Sequence, residues 1–380
     1  MGLATDGNGT VCVVGYTGGA FSGYTNRGGT DAFLARFDAA HGASLGTTQW
    51  GTEGNDYAEA AFFLPGSTDE LIVVGRTYGI IPGQASAGGD DAFVLRIHVN
   101  GTQRWARQFG SPSSDHAIGA AVSAEEETFV VGYTYGALDG IAAFGNKDGF
   151  VGKFAANGTR LWLRQFGTAG NDYCAGVVLD ESEAHAYVAG GTSGMLGLNY
   201  YGGADAFVMK LDVEDGAVQW IKQFGSNESE TVTAIARRPT DGWLFVAGYT
   251  KGRIGHYSLG GYDSFIAAID SDGYLRWTRQ LGTEGNDFAQ AIAFDSSHML
   301  YAVGMTTAAF NANDGASGSG AITTNKGEVD AFVSKIDSVI EILRAVTLKP
   351  TPAPTPAPTM FVDETCVASF APTLCLPERD

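Results

Sequence analysis

The chain has 380 residues, 44% of them hydrophobic and 17% charged, which is enough apolar content to bury a core. Its 42 acidic against 23 basic residues give a net charge of −19, which repels phosphate backbones and anionic headgroups and argues against nucleic acid as a partner. No run reaches the ~18 apolar residues of a membrane-spanning helix, and Met1-Gly2-Leu3-Ala4-Thr5-Asp6 is too polar for a signal peptide, so membrane insertion is not expected.

Taken in chain order, the sequence repeats. Asp-Ala-Phe or a near variant begins at Asp31, Asp91, Asp148, Asp205, Asp263 and Asp330, at spacings of 57 to 67 residues. A second ladder keeps step: Gly15, Gly75, Gly132, Gly190, Gly248 and Gly304, each followed two residues on by Thr17, Thr77, Thr134, Thr192, Thr250 and Thr306. A third, Trp-x-Arg/Lys-Gln-Phe/Leu-Gly, surrounds Trp105, Trp162, Trp220 and Trp277, with a weaker form at Gln49-Trp50-Gly51. Each unit reads as four short strands, A to D, because β-branched and aromatic residues cluster in runs bounded by Gly, Asn, Asp or Ser. Asn100-Gly101, Asn157-Gly158 and Asp272-Gly273 mark the A–B hairpin turns, where Asn, Asp and Gly adopt left-handed backbone at least cost.

Such a unit covers both of its faces only by packing against like units, which predicts an all-β fold: a β-propeller of four-stranded antiparallel blades. Residues 1–17 supply a C and a D strand, complete units lie near 31–77, 91–134, 148–192, 205–250 and 263–306, and the chain returns with A at Asp330–Asp337 and a degenerate B near Ile340–Leu348. The count is about six blades over residues 1–348. In this reading 1–17 and 330–348 complete one blade, so that the ring closes by pairing of N- and C-terminal strands.

Gly-Gly-x-Asp-Ala-Phe, Trp-x-Arg-Gln-Phe-Gly, Gly-Asn-Asp-Tyr and Val-Ala-Gly-Tyr-Thr, in this order, resemble the SBBP β-propeller repeat family over roughly residues 1–348. The resemblance implies a scaffold found in many surface and secreted proteins and specifies no chemistry. The family name supposes seven blades, and Gly2–Asp6 aligns with Ala291–Asp295, which places Met1 in the middle of a C strand. A seventh blade and a signal peptide upstream of an N-terminally truncated sequence are therefore a second expectation.

After Lys349 comes Pro-Thr-Pro-Ala-Pro-Thr-Pro-Ala-Pro-Thr, a polyproline-type spacer of the kind found in O-glycosylated stalks. Cys366 and Cys375 in the 349–380 tail suit a small disulfide loop, or stay free thiols in an ordinary tail. The first alternative goes with an extracellular or cell-surface location, as do the sequons at Asn8, Asn100, Asn157 and Asn227, although Asn100 and Asn157 are also wanted by their turns.

In a four-stranded meander the D–A and B–C loops share one face of the ring. The D–A loops are long and variable and carry Tyr24, Phe144, Tyr200, Tyr201 and Tyr257, while the B–C loops carry Asp56, Asp115, Asp172, Glu230 and Asp287. These ten are the candidate ligand-face residues. The acidic five would suit calcium, but recurrence in every blade suits Asx-type structural acceptors better. Gln49, Gln108, Gln165, Gln223 and Gln280 are read as partners of interblade polar groups. No His-Glu-x-x-His or Gly-x-Ser-x-Gly occurs, so no catalytic residue and no cofactor is assigned. The function expected is a non-enzymatic, monomeric propeller that presents its D–A loops to a protein or glycan ligand. A polysaccharide hydrolase or lyase using paired carboxylates, and a spacer without a ligand, are the alternatives.

Overall fold

The computed structural model describes residues 2–255, 258–309 and 329–336, all within the compact unit Met1–Ser338. It is an all-β propeller of six antiparallel sheets. The first holds β1 (Gly2–Thr5), β2 (Thr10–Thr17), β3 (Asp31–Asp38) and β4 (Ser44–Trp50). The second holds β5 (Asp56–Phe63), β6 (Glu70–Thr77), β7 (Asp91–His98) and β8 (Gln103–Phe109); the third β9 (Asp115–Val122), β10 (Thr128–Thr134), β11 (Asp148–Phe154) and β12 (Arg160–Phe166). The fourth is β13 (Asp172–Leu179), β14 (His185–Thr192), β15 (Asp205–Asp212) and β16 (Val218–Phe224); the fifth β17 (Glu230–Arg237), β18 (Leu244–Thr250), β19 (Asp263–Ile269) and β20 (Leu275–Leu281). Among the described residues the sixth has three strands, β21 (Asp287–Phe294), β22 (Leu300–Thr306) and β23 (Asp330–Ile336). Leu138–Gly140 forms one 3-10 turn.

The sheets correct the phase of the repeat. Each begins with a C strand and runs C-D-A-B, so the long D–A loop is a hairpin inside a blade: β2 pairs with β3 from Thr10↔Asp38 to Thr17↔Asp31. The short B–C segment, such as 51–55, is the link between blades. A four-stranded sheet is only about 14 Å wide, and six extended peptide steps span about 20 Å, so a short link suffices to pass from outer to inner edge. The expected closure by pairing N- and C-terminal strands is therefore wrong. β1 and β2 belong to the sheet of β3 and β4, and β23 pairs with β22. The expected strand at Ile340–Leu348 lies outside the described residues.

The inner strands β1, β5, β9, β13, β17 and β21 pack side by side around the axis. Where they crowd, side chains are small: a Cβ on Gly176 would come within 3.0 Å of Ile235, and one on Gly119 within 3.4 Å of the Ala175 carbonyl. The inner strands from β5 to β21 also carry a bulge, as between Ala58 and Ala60 or between Cys174 and Gly176, which sharpens the local twist. The glycine ladder follows from the same crowding. A Cβ at Gly75, Gly132, Gly190, Gly248 or Gly304 would collide with the carbonyl of Tyr57, His116, Tyr173, Thr231 or Phe288 on the neighbouring inner strand.

At the A–B turns only the glycine is left-handed, with φ of +91° at Gly101 and +79° at Gly158, while Asn100 and Asn157 accept the amides of Thr102 and Thr159 at 3.0 and 2.9 Å. The loops between the strands are 99–102 and 155–159, four and five residues braced by an Asx bond, rather than two-residue hairpins.

Five apolar cores lie between successive blades. In the first of them Cys12, Val14 and Leu34 of one blade meet Leu71, Val73 and Phe93 of the next. Each such Val, Leu or Phe stabilises by ~1.5–3 kcal/mol over its exposed state. Cys12 and Cys174 are buried free thiols whose pKa burial raises, Cys12 to about 11. The end blades differ. Val303 and Val333 are 38% and 72% exposed, although Val14, Val74, Leu34 and Val94 at the same repeat positions are fully buried. On the first blade Leu3 is 66% exposed, against 3% for its counterpart Ala61. Among the described residues no sixth core joins these two faces.

Candidate recognition face

The D–A loops stand on a bracket repeated in five blades. Gln108 on β8 accepts the Ile81 amide at 2.9 Å and donates to the Gly79 carbonyl at 2.9 Å and to Asp91 at 2.8 Å. Gln49–Asp31, Gln165–Asp148, Gln223–Asp205 and Gln280–Asp263 do the same at 2.7–3.0 Å. These glutamines therefore work inside a blade and not between blades, because A and B are neighbouring strands of one sheet.

The five acidic candidates make the second staple. Asp56, Asp115, Asp172, Glu230 and Asp287 each open an inner strand and are buried. Each accepts the backbone amide of the residue four positions earlier, Thr52, Ser111, Thr168, Ser226 or Thr283, at 2.6–2.9 Å, and the hydroxyl of the same residue. Burial raises the pKa of Asp56, Glu230 and Asp287, and pushes Asp115 up to about 6. As ligand-face residues they are corrected. At least one oxygen of each satisfies the tight B–C link, Oδ1 of Asp115, Asp172 and Asp287 is buried without a hydrogen-bond partner, and none of the five is exposed. Among the described residues no group of three His, Cys, Asp or Glu side chains is placed to hold a metal ion.

The aromatic candidates fare differently. Tyr24, Phe144, Tyr200 and Tyr201 are exposed on the D–A loops, and Tyr257 lies outside the described residues. They have company that the sequence reading passed over: Phe21, Tyr78, Ile80, Met195, Leu198 and Leu259 are exposed on the same loops. At the opposite face, among the described residues of the C–D and A–B turns, Tyr274 is the one exposed large apolar side chain. Under the first two loops lies a cavity of about 390 Å³ lined by Tyr24, Arg27, Trp50, Ile81, Pro82 and Leu95.

Nearer the axis a collar of rings and charges breaks the symmetry. Tyr16 and Tyr57 meet edge to face at 4.7 Å, and the Arg76 guanidinium lies 4.3 Å over Tyr57 while pairing with Glu59 at 2.8 Å. His116 Nε2 is 2.8 Å from Asp90, and its Nδ1 is 2.7 Å from the Tyr133 hydroxyl. Burial and then the Arg76 charge push His116 down to about 4, and burial pushes Tyr133 up to about 12. Lys147 Nζ sits 4.5 and 4.9 Å over the rings of Tyr133 and Tyr173. Tyr173 crosses to the fifth blade, accepting the Val232 amide at 2.9 Å. Beyond it Tyr249 packs on Phe288 at 4.8 Å and on Tyr262 at 5.5 Å. These residues escaped the sequence reading because they come from different blades. The available signal was the position after each ladder glycine, which reads Tyr16, Arg76, Tyr133, Gly191, Tyr249 and Met305 inside an otherwise regular repeat.

No family model matches the chain. It is similar to the regulatory protein FlaEY of Caulobacter vibrioides, 24% identical over 307 residues, covering 70% of this chain and 31% of that protein. The chain thus spans about a third of the length of that relative. Among solved structures it is similar to the Dos1 propeller, at 9% identity and a TM-score of 0.42 over 80% of this chain and 67% of that one. Chaetomium thermophilum Sqt1 is similar at 12% identity and a TM-score of 0.46, over 80% of each chain. The quinohemoprotein alcohol dehydrogenase of Comamonas testosteroni is similar at 10% identity and a TM-score of 0.42, over 78% of this chain and 61% of that one.

Proposed function

We propose that the chain is a non-enzymatic recognition propeller of the SBBP repeat type, which binds a protein or glycan through the face that carries its D–A loops. The observation that carries this reading is the asymmetry of exposure. Every D–A loop of the first five blades presents at least one exposed aromatic or large aliphatic side chain, on a rim held rigid by the Gln–Asp bracket. Exposed apolar side chains recurring on one face favour an interaction site there, and a pre-organised rim lowers the ordering cost of binding.

Two features favour binding over catalysis. The carboxylates that recur on this face are buried and accept backbone and hydroxyl donors of their own links, so they are not presented to a sugar arriving from solvent. The Asp90–His116–Tyr133 chain, which has the look of a proton relay, holds a histidine near 4 and a phenol near 12, values that do not suit proton exchange around neutral pH. The Thr/Pro run after Lys349 and the sequon at Asn227 fit an extracellular or cell-surface setting. A regulatory role of the kind named for FlaEY is compatible with recognition without chemistry.

The test is a glycan array and a protein-capture screen on the full chain, with calcium and with chelator, beside an assay for release of sugar from the same polysaccharides. Ligand binding that Tyr200→Ala/Tyr201→Ala weakens, without release, supports the reading. Release of sugar overturns it in favour of a hydrolase or lyase.

A further inference from the structure

We infer that the outer face of the sixth blade is a docking surface for a second copy of this chain, which meets it with the open face of its own first blade. These sheet faces are separate from the D–A loops, so this contact and ligand recognition can fail independently.

The five interblade cores join the same two kinds of face each time. A blade's trailing face carries the residue before the ladder glycine and the third residue after the Asp of Asp-Ala-Phe, and it meets the leading face of the next blade. Val74 and Val94 of the second blade thus share a core with Val130 and Phe150 of the third. Ala247 and Ile266 of the fifth likewise share one with Leu300 and Ala302 of the sixth. Among the described residues no trailing face meets another trailing face.

The trailing face of the sixth blade lacks such a cover. Val303, Met305 and Val333 are 38%, 41% and 72% exposed, and Ala331 is exposed where Ala92 of the second blade is fully buried. On the first blade the leading face is open in turn. Leu3 is 66% exposed, and Val13 and Phe33 are only half-buried, although their counterparts Val73 and Phe93 are buried in the first core. One chain therefore leaves one face of each kind uncovered, and the two do not cover each other.

That pattern says what fits. Apolar side chains two residues apart on paired strands match the rows of a second sheet packed about 10 Å away. A partner for the sixth blade has to offer a leading face, and a second copy brings one already built to this repeat. The two faces differ, so the contact is heterologous and adds chain to chain instead of stopping at a pair. Strands of seven residues across a sheet some 14 Å wide give roughly 340 Å² in plan, small beside the ~800 Å² per partner of a stable complex. Association is therefore weak, and the face is bare in dilute solution.

The experiment is sedimentation velocity on the full chain from about 5 to about 500 μM, in about 0.3 M salt to screen the net charge of −19. Mass should rise with concentration and pass beyond a dimer. Val333→Asp and Leu3→Asp, one on each face and both at exposed positions, should each weaken association at least about tenfold with the melting temperature unchanged. Mixed one to one, the two variants should form a dimer and grow no further, because one keeps the leading face and the other the trailing face. Tyr200→Ala/Tyr201→Ala should associate like the parent. A single-chain mass over the whole range overturns the inference in favour of a ring closed by its own first blade. Association that survives Leu3→Asp means that sixth blades meet each other, and overturns it too. So does a mixture of the two face variants that stays monomeric, or loss of association in Tyr200→Ala/Tyr201→Ala, which would move the contact to the loop face.

Discussion

In the second blade Val74 and Val94 lie buried against the third, while in the sixth Val303 and Val333 hold the same places in the repeat and face outward. The residues are identical in kind, and only the neighbour differs. A blade of this repeat is thus built to be covered on both faces, and stability behaves as a sum of blade terms and nearest-neighbour interface terms, as in other repeat folds. Interior blades have two interfaces and the described end blades one.

A charge placed at paired positions breaks this comparison most forcefully. Val94→Asp should destabilise by about 4 kcal/mol or more, because it buries an unpaired carboxylate in a core, whereas Val333→Asp should cost less than about 1 kcal/mol. Urea unfolding midpoints of the two variants decide it, and equal losses would mean that the sixth blade's outer face is covered in solution. Next in size is the bracket. Gln165→Leu removes the partner of Asp148 and of the Leu138 amide, and should cost about 2–3 kcal/mol by leaving buried polar groups unsatisfied.

A third effect concerns pH and separates the third blade from the sixth. The folded pKa of Asp115 is raised to about 6, so the folded state binds that proton more tightly than the unfolded state does, and this group's contribution falls as pH rises from about 4 to about 6. His116 is lowered to about 4 from 6.5, so the unfolded state takes its proton first and stability falls as pH drops through the same window. The two slopes oppose each other. Asp115→Asn should therefore make stability rise more steeply between pH 4 and 6 than in the parent, and parallel urea profiles would refute this. In the sixth blade the place of His116 is taken by Phe288, so the raised Asp287 meets no such opposition. The smallest stability effect belongs to Tyr200→Ala/Tyr201→Ala, within about 1 kcal/mol because both residues are surface-exposed and lie outside the buried cores. Loss of ligand binding with the melting temperature unchanged would place these residues in recognition alone.

The ladders made the fold legible before any coordinates. Asp-Ala-Phe, the glycine–threonine pair and the Trp-x-Arg/Lys-Gln run each mark a position where one side chain satisfies the same geometric need in every blade, whether the Gln–Asp bracket or the glycine that clears an inner-strand carbonyl. Phase was less legible. A period has no origin, and loop length misled, since the thirteen-residue loop 18–30 is a hairpin within a blade while 51–55 crosses between blades. The exposed loop aromatics were legible because they vary where the repeat does not. The acidic residues looked like a ligand ring in the sequence, yet each is turned inward by a Ser or Thr four residues earlier.

The sequence by itself determined the four-strand repeat as the unit and the number of its recurrences, because these depend on local pattern. Only the tertiary structure decided which strands share a sheet, which strand lines the axis, and that Arg76, Asp90, His116, Tyr133 and Lys147 meet there. The physical reason is convergence. Residues about 58 apart in a regular repeat become neighbours only where the inner strands draw together, and a pattern read along the chain does not measure distances across it.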